Sequence, residues 1–257
     1  MPLLKINGLD HYFEDTGSGE TLIFVHGLGI DRNIFNEQIN YFKDNYRVIS
    51  YDLRGHGQSG APETGYSYNH FANDLKDLIQ ALKIEKYHLI GLSMGGAICA
   101  RFVLENMGQP QSLTMVGAHI VGYYKFPNWP NTYKIAAKEG LTQAREVWKH
   151  FALFDTVKSD PLRTKELERM VDNFSCALWT DPNPRYEEPN DLDRLAEIKI
   201  PTLITVGRQD EYFSPIAQIM KEKIPQARFE EFECGHLLSF EQPHNFNSIL
   251  ENFLKNL

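Results

Sequence analysis

Ser93 stands in Gly91-Leu92-Ser93-Met94-Gly95, after the apolar run Tyr87-His88-Leu89-Ile90 and before the helical stretch from Gly96 to Leu104. A strand that turns into a helix through so few small residues forms a nucleophile elbow, which lifts a serine hydroxyl clear of the sheet. At neutral pH that hydroxyl is a weak nucleophile. It needs a base to take its proton, a carboxylate to orient the base, and N–H donors for the oxyanion. The elbow therefore sets a search for an acid and then a histidine, in the chain order Ser, Asp or Glu, His.

The base follows by elimination. His11 lies in an early alternating strand, His70 and His88 flank packing segments, His150 sits in a helical stretch, and His244 follows Pro243 at the start of the last helix. His26 and His56 belong to glycine turns. His236 follows the strand Arg228 to Phe232, in Glu233-Cys234-Gly235-His236-Leu237. A loop just past the last strand lets its imidazole lean over the edge of the sheet; its other use would be to cap the helix from Pro243.

The carboxylate is sought after an earlier strand. The buried-type run Ile200 to Val206 leads into Gly207-Arg208-Gln209-Asp210-Glu211. Asp210 stands where a loop leaves the carboxyl end of a strand, which is where open parallel sheets place their sites. Glu211 is the rival, and capping of the helix from Ser214 is the alternative use of Asp210. One strand earlier the equivalent position reads Val116-Gly117-Ala118-His119 and offers no carboxylate. The oxyanion donors are expected to be the N–H of Met94, next to the nucleophile, and that of Leu28 in His26-Gly27-Leu28-Gly29. Glycines there let the backbone approach a ligand closely.

These side chains need a scaffold of strand–helix units. Residues 1–117 read as a strand, a hairpin with its turn at Gly8-Leu9-Asp10, a second turn at Gly17-Ser18-Gly19, and then repeated strand–helix units of a mostly parallel sheet. Buried strands are expected at Leu22–Val25, Val48–Tyr51, Leu89–Ile90 and Leu113–Val116, and the pattern resumes over 200–257, ending on a helix from Phe246 to Leu257. Residues 118–199 read as an inserted helical cap before the penultimate core strand. Helices are expected at Asn131–Glu139, Thr142–Phe151 and Pro161–Phe174, with a break at Asp181-Pro182-Asn183-Pro184-Arg185. The insertion carries Tyr123, Tyr124, Phe126, Trp129, Trp148, Phe151, Phe154, Phe174 and Trp179, including every tryptophan of the chain. Two in three of these are expected to pack the cap itself, and the rest to line a pocket for an apolar or aromatic group.

Composition narrows the class of partner. The 257 residues hold 26 basic and 34 acidic side chains, a net charge of −8, so there is no basic footprint for nucleic acid. Hydrophobic residues at 42% suffice for a sizeable core. Met1 to Gly8 alternates like a strand rather than a signal sequence, and no run approaches a membrane span. Cys99, Cys176 and Cys234 lack motif spacing, which suggests a reducing, cytoplasmic compartment and no disulfide framework.

Four separated motifs occur in order: His26-Gly27-Leu28-Gly29, Asp52-Leu53-Arg54-Gly55-His56-Gly57-Gln58-Ser59, Gly91-Leu92-Ser93-Met94-Gly95-Gly96, and Gly235-His236. With them the chain resembles the α/β-hydrolase superfamily over essentially its whole length. The Asp52 to Ser59 segment resembles the family's structural turn, which implies that His56 stays outside the chemistry. Phe35 stands where many relatives carry tryptophan and is expected to keep an aromatic wall. The Ser93-Met94-Gly95-Gly96 elbow and the segment Gly235 to Pro243 resemble carboxylesterases, enol-lactonases and the peracid-forming non-heme haloperoxidases. A serine nucleophile argues against haloalkane dehalogenases and epoxide hydrolases, which use a carboxylate. Carbon–carbon hydrolases commonly show Gly-Asn-Ser and a tryptophan after the base, where this chain has Gly91-Leu92-Ser93 and His236-Leu237.

The expectation is thus a Ser93–His236–Asp210 hydrolase of a small to medium carboxylic ester or lactone, working through an acyl-enzyme without metal or organic cofactor. The alternatives are a carbon–carbon hydrolase, a peracid-forming enzyme or an acyltransferase on the same residues, and a hydrolase-fold ligand receptor with little turnover.

Overall fold

The computed structural model describes residues 3–182 and 188–257, so Met1, Pro2 and Asn183-Pro184-Arg185 of the expected break lie outside the described residues. An eight-stranded sheet runs through the molecule: β1 Leu3–Ile6, β2 Leu9–Thr16, β3 Thr21–Val25, β4 Arg47–Tyr51, β5 Tyr87–Leu92, β6 Ser112–Val116, β7 Thr202–Gly207 and β8 Arg228–Phe232. Their spatial order is β1-β2-β4-β3-β5-β6-β7-β8. The first two strands pair antiparallel and the rest parallel. Every residue of β3, β5, β6 and β7 is buried, as expected of strands covered on both faces. Edge strand β8 is half-buried or exposed until Phe232, and its Arg228 and two glutamates suit an edge that must not pair with another chain.

The first hairpin is tighter than the sequence reading. Ile6 pairs with Leu9, so the turn is Asn7-Gly8 rather than Gly8-Leu9-Asp10. Both turn residues have positive φ, 50° and 77°, the backbone of a two-residue hairpin whose twist matches its strands.

Helices flank the sheet: α1 Asn36–Phe42, α2 Tyr68–Ala81, α3 Met94–Leu104, α4 Thr132–Glu139, α5 Leu141–Lys149, α6 Pro161–Asp172, α7 Asp191–Arg194, α8 Ser214–Lys223, α9 Leu238–Glu241 and α10 Pro243–Leu254. Helix α3 packs against β3, β5 and β6, and all but one of its residues are buried, which explains its lack of a polar face. The last helix starts at Pro243, where proline is pre-shaped for a first helical turn, and ends at Leu254, three residues before the expected Leu257.

Helices α4 to α7 all lie between β6 and β7. Asn131 starts α4 by accepting from the Lys134 N–H, and Asp160 starts α6 by accepting from Leu162 and Arg163 with Pro161 in the first turn. The return of this segment to the sheet is fastened by Arg101 of α3. Fully buried, it bonds Asp191 at 2.8 Å, Glu188 at 3.0 Å, Asn69 of α2 at 2.7 Å and the Pro189 carbonyl at 2.9 Å. A buried charge with so many partners is costly to break from either side. No described helix is long and apolar enough to cross a membrane.

Three buried histidines tie stability to pH. Burial is the main cause that holds His11, His26 and His88 below the ordinary value of 6.5, against the pull of Asp74, Asp52 and Glu20 respectively. His26 shows why: its Nε2 accepts from the Leu53 N–H at 3.0 Å and its Nδ1 lies 2.8 Å from the Gly27 carbonyl, a pairing that only the neutral ring satisfies. Below 6.5 the unfolded chain binds protons that the folded chain refuses, so stability is full above that pH and is lost as pH falls. Urea midpoints are expected to be level near about pH 8 and to drop between about pH 6.5 and 5.5. A midpoint that held or rose over that interval would contradict this account.

Candidate active site

The registers of the parallel strands bring their carboxyl ends level: Val25 pairs with Tyr51 and Gly91, Leu92 with Val116, Val116 with Thr205, and Gly207 with Phe232. The loops that leave them carry Leu28, Ser93, Gly117, Asp210 and His236 along one edge of the sheet, the edge at which such sheets bind ligands.

Ser93 adopts φ 54° and ψ −117°, a conformation that a side chain strains to hold. Neighbouring backbone enforces it. The Ser93 N–H donates to the Val116 carbonyl at 2.9 Å, and its own carbonyl accepts from Gly96 at 2.9 Å and His119 at 3.1 Å. The flanking glycines leave no room for anything larger. A Cβ on Gly95 would meet the Val25 carbonyl oxygen at 2.0 Å, and one on Gly91 would meet the Gly95 carbonyl oxygen. Ser93 immediately precedes α3, so the positive end of that helix faces whatever charge develops beside the hydroxyl.

His236 Nδ1 lies 2.6 Å from Asp210 Oδ2 with both residues buried. The other oxygen of Asp210 accepts from the N–H groups of Phe213, at 3.0 Å, and Tyr212, at 3.2 Å. Asp210 therefore holds its own loop and the histidine at once; it does not cap the helix from Ser214, whose N-cap residue is Phe213 with no side-chain cap bond. Glu211 is exposed and bonds neither. The His236 ring stacks on Phe213 with centroids 4.3 Å apart. Glu241 braces the histidine loop by accepting from the N–H groups of Leu237 at 3.1 Å and Gly235 at 3.2 Å. A Cβ on Gly117 would come within 3.3 Å of His236 Nδ1, so the end of β6 fits closely under the ring.

A cavity of about 300 Å³ opens beside Ser93, with Leu28 and Met94 in its wall. Five of the nine aromatics of the 118–199 segment, Tyr124, Phe126, Trp129, Trp148 and Trp179, line it, more than the one in three expected. Trp148 is 1% exposed and also touches Trp129, Phe151, Phe154 and Trp179, so packing and pocket are the same residue here. It lies against Gly29, where a Cβ would clash with the indole ring. Phe35, expected as an aromatic wall, packs on Phe24 in the core at 4.9 Å and does not line the cavity. His56 bonds the Arg54 carbonyl at 2.9 Å and stacks on Phe174, away from that cavity.

Asp210 and His236 line a second, smaller cavity of about 230 Å³. Phe213, stacked on His236, forms part of the wall beside Ser93. The structure thus brings Leu28, Ser93 and Met94 to one space and Asp210 and His236 to another, and no hydrogen bond joins Ser93 to His236. Phe213, Glu241, Gly117 and His119 complete the neighbourhood without having been singled out as site residues. Among the described residues, no three His, Cys, Asp or Glu side chains gather as a metal ion would require. Cys234, two residues before the histidine, is a buried thiol pushed up to about 12, first by burial and then by Glu241 and Asp210.

A family model for the alpha/beta hydrolase fold matches residues 20–243. The chain belongs to the α/β-hydrolase family. Among its relatives, an AB hydrolase superfamily protein of Bacillus subtilis, YisY, is 32% identical over 94% of each chain. A 3-oxoadipate enol-lactonase of Acinetobacter baylyi is 28% identical over 92% of this chain and 89% of the relative. Among solved structures of α/β-hydrolases, an esterase of Exiguobacterium antarcticum superposes with a TM-score of 0.85 at 28% identity, covering 98% of each chain. The eight-stranded sheet and its flanking helices are those of this hydrolase family.

Proposed function

We propose that the protein is a serine hydrolase that cleaves a small to medium carboxylic ester or lactone with an apolar or aromatic group, through an acyl-enzyme. The observation that carries this reading is a strained Ser93 at an aromatic cavity on the same edge of the sheet as the 2.6 Å His236–Asp210 contact. Asp210 accepts from Nδ1–H, which leaves Nε2 of His236 as the base for the Ser93 hydroxyl and stabilises the imidazolium that forms. The Ser93–His236 bond closes when substrate binds, as catalytic hydrogen bonds commonly tighten in the complex. The N–H groups of Leu28 and Met94 hold the oxyanion, and the positive end of α3 adds to the second. Water activated by the same histidine then releases the acid. The residues need no metal or organic cofactor for these steps. The esterase and the enol-lactonase among the relatives support the substrate class. The three buried, free cysteines suit a reducing, cytoplasmic compartment.

The purified chain is expected to turn over 4-nitrophenyl butyrate and to stop when a serine-directed phosphonate is added. Saturable binding of the ester without product would instead favour the receptor reading.

Residues 118–199 act in this reading as a cap that sets selectivity, while the sheet carries the chemistry. Trp148 tests both of its contacts. Trp148→Ala is expected to cost about 3–5 kcal/mol of stability. It is also expected to shift the ratio of kcat/KM toward a bulky ester over a short one, because the lost ring leaves space beside Ser93. Melting curves and the two esters check this; an unchanged ratio would remove Trp148 from the substrate wall.

A further inference from the structure

We propose that Phe213 is a positioning residue: an apolar group in the cavity packs on its ring, and the ring turns His236 toward Ser93. This rests on Ser93 being the nucleophile and His236 the base, and it names what closes the bond between them.

The two residues that must meet do not share a space. Ser93 lines the aromatic cavity, His236 lines the second one, and no hydrogen bond joins them. Phe213 reaches both. It lines the cavity beside Ser93, and its ring stacks on the imidazole with centroids 4.3 Å apart and planes at 29°. Its main chain is fixed by the acid. The Phe213 N–H donates to Asp210 Oδ1 at 3.0 Å, and its carbonyl accepts from Ala217 at 2.9 Å as α8 begins. The other oxygen of Asp210 lies 2.6 Å from His236 Nδ1. The imidazole therefore has a pivot at Nδ1 and a flat support on one face. With the pivot fixed, the tilt of that support sets where Nε2 points. Phe126 and Trp129, which line the same cavity, touch Phe213 with centroids 5.3 and 6.2 Å away. A ligand that packs among these rings gains contact with Phe213 too. A ligand shifts a residue between two positions only through contacts that differ between them, and this contact is one. One aromatic contact is enough for a several-fold change in such a population.

The test uses vinyl acetate, too small to fill a cavity of about 300 Å³, and vinyl hexanoate, with benzene as a probe that fills the remaining space. Nε2 must face Ser93 in both halves of the reaction, so kcat reports its position whichever half is slow. For the wild type, kcat is expected to be higher for hexanoate than for acetate. Benzene is expected to raise kcat for acetate by about threefold, the scale of one aromatic contact. Phe213→Leu and Phe213→Met, which lack the flat face, are expected to lose the benzene activation and to bring the two kcat values together. Phe213→Tyr, which keeps the face, is expected to retain both effects. A wild type that benzene inhibits or leaves unchanged overturns the proposal, and this arm stands even where a variant fails to fold. So does activation that persists in Phe213→Leu. A merely structural Phe213 would lower turnover of both esters together and leave their ratio intact, and that result overturns the proposal too. Failure of the wild type to hydrolyse either ester, with or without benzene, would remove the serine-hydrolase reading, and this proposal with it.

Discussion

Ser93→Ala is expected to lower ester hydrolysis by on the order of 10⁶-fold, the scale seen when a triad nucleophile is removed. The fold should be untouched. Alanine meets the same backbone strain at φ 54° that serine does, and the bonds that hold the elbow come from the main chain at Val116, Gly96 and His119. The expected signature is therefore a lost rate with an unchanged melting temperature. A variant that melted normally and kept more than about a tenth of its turnover would place the nucleophile elsewhere.

Asp210→Asn comes next in size, at roughly 10⁴-fold in kcat, taken from the serine-protease precedent. The amide keeps the shape and can still accept from the Phe213 and Tyr212 N–H groups through one oxygen. What it loses is the negative charge 2.6 Å from His236, and with it the tautomer that leaves Nε2 as a base. Glu211→Gln is expected to stay near wild type because Glu211 is exposed and does not touch the ring. Comparing kcat for the two variants on one ester checks the assignment. Reversed effects would mean that the carboxylate orienting His236 in solution is not Asp210.

The parts of the fold legible in the sequence were those dictated by local pattern. Continuous apolar runs announced β3, β5, β6 and β7, since a strand covered on both faces has no polar side. The elbow was legible because Gly91 and Gly95 answer to contacts with backbone only a few residues away or in the adjacent strand. The loops holding Asp210 and His236 were legible as strand exits, with no need to know how the strands are ordered.

What stayed hidden depends on partners distant in sequence. Arg101 looks like an ordinary basic residue near a helix end, yet its partners Glu188 and Asp191 lie about 90 positions away, and folding buries all three charges together. Phe213 has no local signal, since its role comes from stacking on a histidine 23 residues later. The division of the aromatics into packing and lining had no basis in pattern either. Trp148 does both, because the packing of the segment between β6 and β7 and the wall of the cavity share one cluster of rings. His119 drew no attention in Val116-Gly117-Ala118-His119, where the search was for a carboxylate.

The most direct test of the account is where a fluorophosphonate attaches. After labelling, digestion and mass spectrometry, the account predicts one adduct, on the peptide that contains Ser93, forming at a rate that falls in Asp210→Asn and disappearing in Ser93→Ala. An adduct on a different serine that persists in Ser93→Ala, together with undiminished ester hydrolysis, would contradict it.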